Sequence, residues 1–258
     1  MLDYAWLFLA GLLGGMVNAV AGGGSFITFP ALIAAGIPPI VANATNTFAS
    51  CAGYCSGAIG FRHELWRHRK RLLLIVLCAL GGGIAGAGLL LRTSPDVFQK
   101  VVPWLLLVAT VLLVYGERLQ QALRRRFANH PRLSAAGTVS ISLLLLVVCI
   151  YGGFFNAGLG IILLGYLTLA GYQDIHLMNG IKLMISAVIA LVAIALFSVG
   201  DLIAWREGSA VLLGTLIGGY SAVAVVKLVS QHWVRRFITA TAILMTAFFF
   251  NDAYGLLS

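Results

Sequence analysis

The chain carries little charge. Asp, Glu, Lys and Arg make up 10% of its 258 residues, against about 25% in an ordinary soluble domain. Acidic residues are the scarcest: eight, against 17 Lys and Arg. The eight are Asp3, Glu64, Asp96, Glu117, Asp174, Asp201, Glu207 and Asp252, and all fall in loops or near the termini of apolar runs. Cation antiporters and carboxylate-relayed proton pumps generally need such groups at membrane depth, so neither is expected. Histidine is missing from the runs too. His63, His68, His130, His176 and His232 lie in connecting segments, so no nucleophile–base pair is expected at membrane depth and an enzyme is not predicted. Cys51, Cys55, Cys78 and Cys149 sit inside apolar runs. Cys51 and Cys55 are one helical turn apart, but no second Cys or His pair completes a zinc site. They read as small packing residues, and no metal or other cofactor is predicted.

What remains is apolar: 60% of the chain, in runs at 5–21, 25–35, 44–60, 72–91, 101–115, 134–151, 154–170, 183–199, 209–226 and 237–250. About 20 such residues let a helix cross a roughly 30 Å hydrocarbon layer. The runs lack the alternation of barrel strands. The fold class expected is an all-α, multi-pass integral membrane protein of the inner or plasma membrane, with the lipid bilayer as its partner. The net charge of +9 sits in short inter-helix loops, without the basic, aromatic-studded face that nucleic acid requires, so no nucleic acid is expected. Residues 1–21 end in Ala19-Val20-Ala21, like a signal-peptide cleavage site, but lack a positive n-region. They read as part of the fold.

The chain resembles itself. Gly14-Gly15-x-x-Asn18-Ala19 recurs as Gly152-Gly153-x-x-Asn156-Ala157. Asn43 matches Asn179, Phe61 matches Phe197, Glu64-Leu65 matches Asp201-Leu202, and Gly82-Gly83 matches Gly218-Gly219. An ordered series at a near-constant offset implies a first repeat over 1–117, a basic cytoplasmic linker over 118–132 and a second repeat over 133–258. Loop 62–71 is strongly basic, as is the linker, which places both in the cytoplasm. The partner of that loop, 199–208, holds Asp201, Arg206 and Glu207, whereas loop 227–236, partner of 92–100, holds Lys227, Arg235 and Arg236. Equivalent loops thus differ in charge, as two inverted-topology repeats predict; a parallel four-plus-four arrangement is the alternative. Each repeat opens with a long element, 4–35 or 134–170, interrupted by Gly22-Gly23-Gly24 in one and by Gly152-Gly153 and Gly158 in the other. These read as broken helical hairpins, within about eight full spans plus short or re-entrant segments.

Three stretches carry polar chemistry. The run Gly22-Gly23-Gly24-Ser25 breaks a helix. A helix restarting at Ser25 would aim free N–H groups and its positive end at an anion; a packing hinge is the other reading. After Pro38-Pro39, residues Asn43, Thr45, Asn46 and Thr47 crowd together. Asn43 or Thr45 can cap the next helix, while the cluster as a whole suits a polar lining. In the second repeat, Lys182 occupies the place of Asn46, three residues after Asn179. It is the one basic residue within a helix-forming apolar region, with no intramembrane carboxylate to neutralise it. Either the ligand supplies the negative charge or the side chain snorkels to the headgroups from one turn inside its helix.

These residues resemble the sulfite exporter family, TauE/SafE. The resemblance rests on Gly22-Gly23-Gly24-Ser25 with Pro30, Gly36-Ile37-Pro38-Pro39, Ala44-Thr45-Asn46, Gly152-Gly153-x-x-Asn156-Ala157-Gly158-x-Gly160, and Gly171 with Lys182. It implies an integral membrane permease for sulfite, sulfonates or related organic anions. The expected function is therefore a secondary transporter of a small anionic substrate by alternating access, with a passive anion channel as rival. The expected substrate-binding residues are Gly22, Gly23, Gly24, Ser25, Thr45, Asn46, Asn156, Asn179 and Lys182. The second repeat has Leu159 and a single Gly160 where the first has Ala21 and the glycine run, so the two breaks need not contribute equally. The sequence leaves oligomeric state open and is compatible with a homodimer.

Overall fold

The computed structural model describes the backbone of residues 2–21, 23–127, 135–225 and 231–255, and the side chains of 4–18, 23–69, 72–116, 139–221 and 236–255. Gly22, residues 226–230 of the second basic loop and the side chains of the linker lie outside the described residues. Among the described residues every regular element is a helix. The order is α1 (Leu2–Ala21), α2 (Ser25–Ala34), α3 (Pro39–Gly60), α4 (Arg62–Arg67), α5 (Arg69–Leu91), α6 (Pro95–Phe127), α7 (Ala135–Phe154), α8 (Leu159–Leu169), α9 (Ile175–Val199), α10 (Trp205–Val225) and α11 (Gln231–Tyr254). Among the described residues, four segments are long and apolar enough to cross a membrane: Leu72–Leu91, Pro95–Gly116, Ile175–Val199 and Arg236–Tyr254. Their outer faces carry exposed Leu73, Leu74, Leu77, Ile84, Ile243, Leu244 and Phe248, a surface suited to acyl chains rather than water. Trp6, Trp66, Trp104 and Trp205 are exposed as well, in keeping with the aromatic belts of membrane interfaces.

Both opening elements are broken, with differences from expectation. In the first repeat the break falls between Ala21 and Ser25. In the second it falls at 155–158, and Gly152 and Gly153 are helical. These two glycines serve packing: a Cβ on Gly153 would meet the backbone of Gly83 and Ala87. The two short helices end alike. Gly36 and Gly171 adopt φ of +82° and +84°, which glycine reaches without strain. Ile37 N–H then bonds Leu32 C=O at 3.2 Å, and Tyr172 N–H bonds Leu167 C=O at 3.0 Å, the long-range bond of a Schellman close.

Other boundaries also move. Pro39 is the first residue of α3, with Pro38 before it and no side-chain cap. Asn43 and Thr45 thus lie inside the helix rather than capping it, because proline at N1 needs no donor there. The helix carrying Lys182 starts at Ile175, capped by Asp174, whose side chain accepts from the N–H groups of His176 and Leu177. Loop 62–71 contains the short helix α4, with the Arg69 guanidinium 4.9 Å from the Trp66 ring. The first ten residues of the expected linker continue α6.

Helices from the two halves of the chain interleave. α1 packs along α10 and α5 along α7, in both cases through glycines four residues apart. A Cβ on Gly11 or Gly15 would strike the backbone of Val211 or Thr215, and one on Gly214 or Gly218 the backbone of Phe8 or Leu12. Gly82 and Gly86 of α5 lie as closely against Cys149 and Ile150 of α7. Such small-residue stripes let helix backbones approach in lipid, where no hydrophobic force drives association. Two further pairs of helices meet across the halves. α3 meets α9 through Gly57 against Leu183 and through the apolar group Cys51, Tyr54, Ala187 and Ala190. α6 meets α11 through Thr110 Oγ1 and Thr246 Oγ1, 3.0 Å apart. In both contacts residue numbers run in opposite directions: Gln99 pairs with Asp252 but Thr110 with Thr246, and Gly57 lies beside Leu183 but Phe61 beside Gly180. Both pairs are antiparallel.

Candidate functional site

The two breaks meet at one narrow pocket. It holds about 360 Å³ of empty space, its open mouth included, and is lined by Asn18, Gly23, Gly24, Ser25, Tyr54, Asn156, Gly158, Leu159, Gly160, Lys182, Leu183 and Ser186. Gly23, Gly24 and Ser25 come from the first break and Asn156 to Gly160 from the second; α9 supplies Lys182, Leu183 and Ser186. The short helices α2 and α8 both begin here. Their N-caps are Gly24 and Gly158, and neither has a side-chain cap. The N–H of Gly160, in the first turn of α8, meets no acceptor among the described residues. Two positive helix ends therefore face the same space, an arrangement that favours an anion.

Local bonds hold this backbone in place. Gly158 has φ of +75°, and a Cβ there would come within 2.6 Å of the Cβ of Ala109. Tyr151 donates its hydroxyl to Ala157 C=O at 2.6 Å. Asn43 donates from Nδ2 to Phe154 C=O at 2.9 Å, satisfying a carbonyl that the end of α7 leaves free. On the other side, Asn46 donates from Nδ2 to Ser25 Oγ at 3.1 Å. Its Oδ1 accepts from Thr28 Oγ1, and that hydroxyl also lies 3.2 Å from Gly24 C=O. Behind the pocket, Phe29 packs edge-on to Phe155 at 5.8 Å and stacks on Phe249 at 5.6 Å.

The expected site residues divide into three groups. Gly23, Gly24, Ser25, Asn156 and Lys182 line the pocket. Asn46 stands one layer behind Ser25, and Asn179 accepts a 3.1 Å hydrogen bond from Lys182 Nζ. Thr45 is directed elsewhere: its Oγ1 accepts from Ala204 N–H at 3.0 Å, at the start of α10. Gly22 lies outside the described residues. Lys182 is two helical turns inside α9 rather than one, half-buried, and among the described residues no carboxylate faces it; Asn179 is its hydrogen-bond partner.

Tyr54, Ser186 and Asn18 were not among the expected ligands. Tyr54 donates its hydroxyl to Asn156 Oδ1 at 3.3 Å. Ser186 could have been found by extending the repeat, because Asn43, Asn46 and Ser50 of α3 match Asn179, Lys182 and Ser186 of α9 in spacing. Each set falls on one helix face. Among the described residues, no group of three His, Cys, Asp or Glu could hold a metal ion.

Comparison with known proteins agrees with this architecture. The chain is 28% identical to the probable membrane transporter protein YfcA of Escherichia coli K12, over 96% of this chain and 90% of that protein. It is 27% identical to a probable membrane transporter protein of Haemophilus influenzae, over 94% and 92%. It is also 30% identical to the probable membrane transporter protein ORF9 of a Sinorhizobium species, over 65% and 62%. No solved structure matches it significantly. The family model described as sulfite exporter TauE/SafE matches residues 7–249, nearly the whole helical bundle around the pocket, and the chain is a multi-pass membrane transporter of that family.

Proposed function

We propose that this chain is a secondary transporter moving small sulfur-containing anions, sulfite or an organosulfonate, by alternating access. The observation that carries the reading is the pocket's charge. A lysine ammonium and two glycine-started helix ends converge there, with no carboxylate among the described residues to answer them. An intramembrane cation without a protein counter-ion is stable when the passenger supplies the negative charge. The family's description supplies sulfite as the first candidate.

The same proposal extends to topology. The repeats are inverted, α1–α2 and α7–α8 are hairpins returning to the side they start from, and α3, α5 and α6 with their counterparts are full crossings. The antiparallel contacts of α3 with α9 and of α6 with α11 support this, since inversion sets equivalent helices head to tail.

Uptake and exchange of radiolabelled sulfite in proteoliposomes test the function. The wild type is expected to exchange sulfite, and to accumulate it against a concentration difference when a driving gradient is imposed, which a channel cannot do without a membrane potential. Lys182→Ala is expected to reduce flux to the protein-free background while the purified protein keeps its elution profile. Near-normal flux from that variant ends the assignment of Lys182.

A further inference from the structure

Resting on the transport reading, we propose that Tyr54 is a positioning residue for the anion: its hydroxyl holds back the Asn156 amide oxygen, so that the amide N–H groups face the pocket.

The backbone around Asn156 is fixed without Tyr54. Asn43 bonds Phe154 C=O, Tyr151 bonds Ala157 C=O, and Asn156 C=O accepts from Leu159 N–H at 3.2 Å. What these bonds leave free is rotation of the side-chain amide, a broad, roughly two-fold torsion. One orientation offers the pocket N–H donors, the other an acceptor. Lys182 and the starts of α2 and α8 make the pocket positive. An unrestrained amide would turn its oxygen towards these poles and against an arriving anion. Tyr54 opposes that turn by donating to Asn156 Oδ1 at 3.3 Å. Asn156 Nδ2 meets no acceptor among the described residues. Since no enclosed side-chain nitrogen or oxygen among them lacks a partner, this nitrogen opens onto the pocket that Asn156 lines.

The direction of the Tyr54 bond is set from behind. Thr28 donates to Asn46 Oδ1, and Asn46 Nδ2 donates to Ser25 Oγ at 3.1 Å. The Ser25 hydroxyl then has its proton to pass on, and the Tyr54 oxygen stands beside it. A phenol oxygen that accepts from serine gives its own proton forward, here to Asn156. The chain Thr28, Asn46, Ser25, Tyr54, Asn156 thus runs from one break to the other with each donor directed towards the pocket, and bonds in such chains strengthen one another. Packing holds the ring in place: Tyr54 lies in the contact of α3 with α9, against Cys51, Ala187 and Ala190. Asn18, the sequence match of Asn156, lines the pocket too. At the spacing that relates Asn46 to Lys182, however, Tyr54 is answered by Ala190, which has no hydroxyl to orient an amide. The pocket therefore holds one oriented amide and one unoriented one.

Equilibrium binding of radiolabelled sulfite or ethanesulfonate to the full-length, detergent-purified protein tests this. Tyr54→Phe is expected to weaken binding at least tenfold, the order of a lost hydrogen bond to a charged group. Replacing Tyr54 with 4-aminophenylalanine returns a donor to the same place and is expected to bring affinity back to within about threefold of wild type. Asn156→Ala removes the group through which Tyr54 acts. Adding Tyr54→Phe to it is therefore expected to weaken binding by less than about a further twofold, because the two residues act as one unit. Undiminished binding by Tyr54→Phe, no recovery with 4-aminophenylalanine, or losses that multiply in the double variant each overturn the inference and leave the transport reading standing. If Asn156→Ala binds too weakly to read, Asn156→Ser, which has no amide to turn, takes its place in the cycle with the same two outcomes. Wild-type protein that neither binds nor exchanges either anion overturns the transport reading itself.

Discussion

Asn46 and Lys182 occupy the same repeat position with different chemistry. The lysine faces the pocket; the asparagine holds Ser25 from behind, giving one hydrogen bond to its Oγ and taking another from Thr28. Asn46→Ala leaves the lysine in place but frees the Ser25 hydroxyl. One buried hydrogen bond contributes about 1 kcal/mol, and about 1.4 kcal/mol is tenfold in affinity. The half-saturation concentration for sulfite uptake is therefore expected to rise roughly fivefold, with maximal rate little changed, in a concentration series. Lys182 was legible in the sequence because a lone cation in an apolar stretch stands out without knowledge of neighbours. The role of Thr45 was not. It is one residue from Asn46, but successive residues on a helix point about 100° apart, so its hydroxyl reaches the start of α10 instead. Composition cannot tell which face of α3 looks inward. The spacing of Asn46, Ser50 and Tyr54 carries that information.

At the scale of elements, glycines divide by what surrounds them. Gly158 sits at the start of α8 with positive φ, and Ala109 fills the space a side chain would need. Gly158→Ala strains the backbone and displaces the first turn of α8, so anion exchange is expected to fall at least tenfold in proteoliposomes. Gly218 faces the backbone of Leu12, whereas a Cβ on Gly88 meets nothing within 4 Å. Gly218→Val is expected to lower stability by about 1–3 kcal/mol through overpacking. Gly88→Ala is expected to leave stability unchanged or raise it by less than about 1 kcal/mol. Thermal unfolding of the detergent-purified variants, side by side, reads both. The breaks were foreseeable from glycine content, but in the second only Gly158 lies in the break. Gly152 and Gly153 read as helix breakers by propensity, and close packing against α5 keeps them helical. Tertiary contact overrides propensity in such cases.

For the whole molecule, the helical, membrane-crossing character was plain from the apolar runs, and the near-constant offset of the internal matches points to a repeat. The partnership of helices was not. Nothing in the offset says that α1 lies on α10 and α5 on α7, because a repeat specifies equivalence and not contact. The glycines of these seams hold that signal as small residues four apart. Moving bodies in an alternating-access cycle would accordingly be mixed bundles, α1, α3 and α10 against α5, α7 and α9, rather than the two sequence halves. The inverted arrangement has its own test. Single cysteines replacing His63 and Asp201, in a background without Cys51, Cys55, Cys78 and Cys149, are expected to react with impermeant thiol reagents from opposite sides of the membrane. Labelling from the same side overturns inversion.

The interleaving also bears on biogenesis. The glycine face of α1 leaves the ribosome long before Val211, Thr215 and the rest of its partner exist. Until α10 is made, that face has only lipid or an insertion factor against it. A nascent chain stopped after the first repeat would lack this seam entirely, so quality-control proteolysis should fall hardest on products ending ahead of α10.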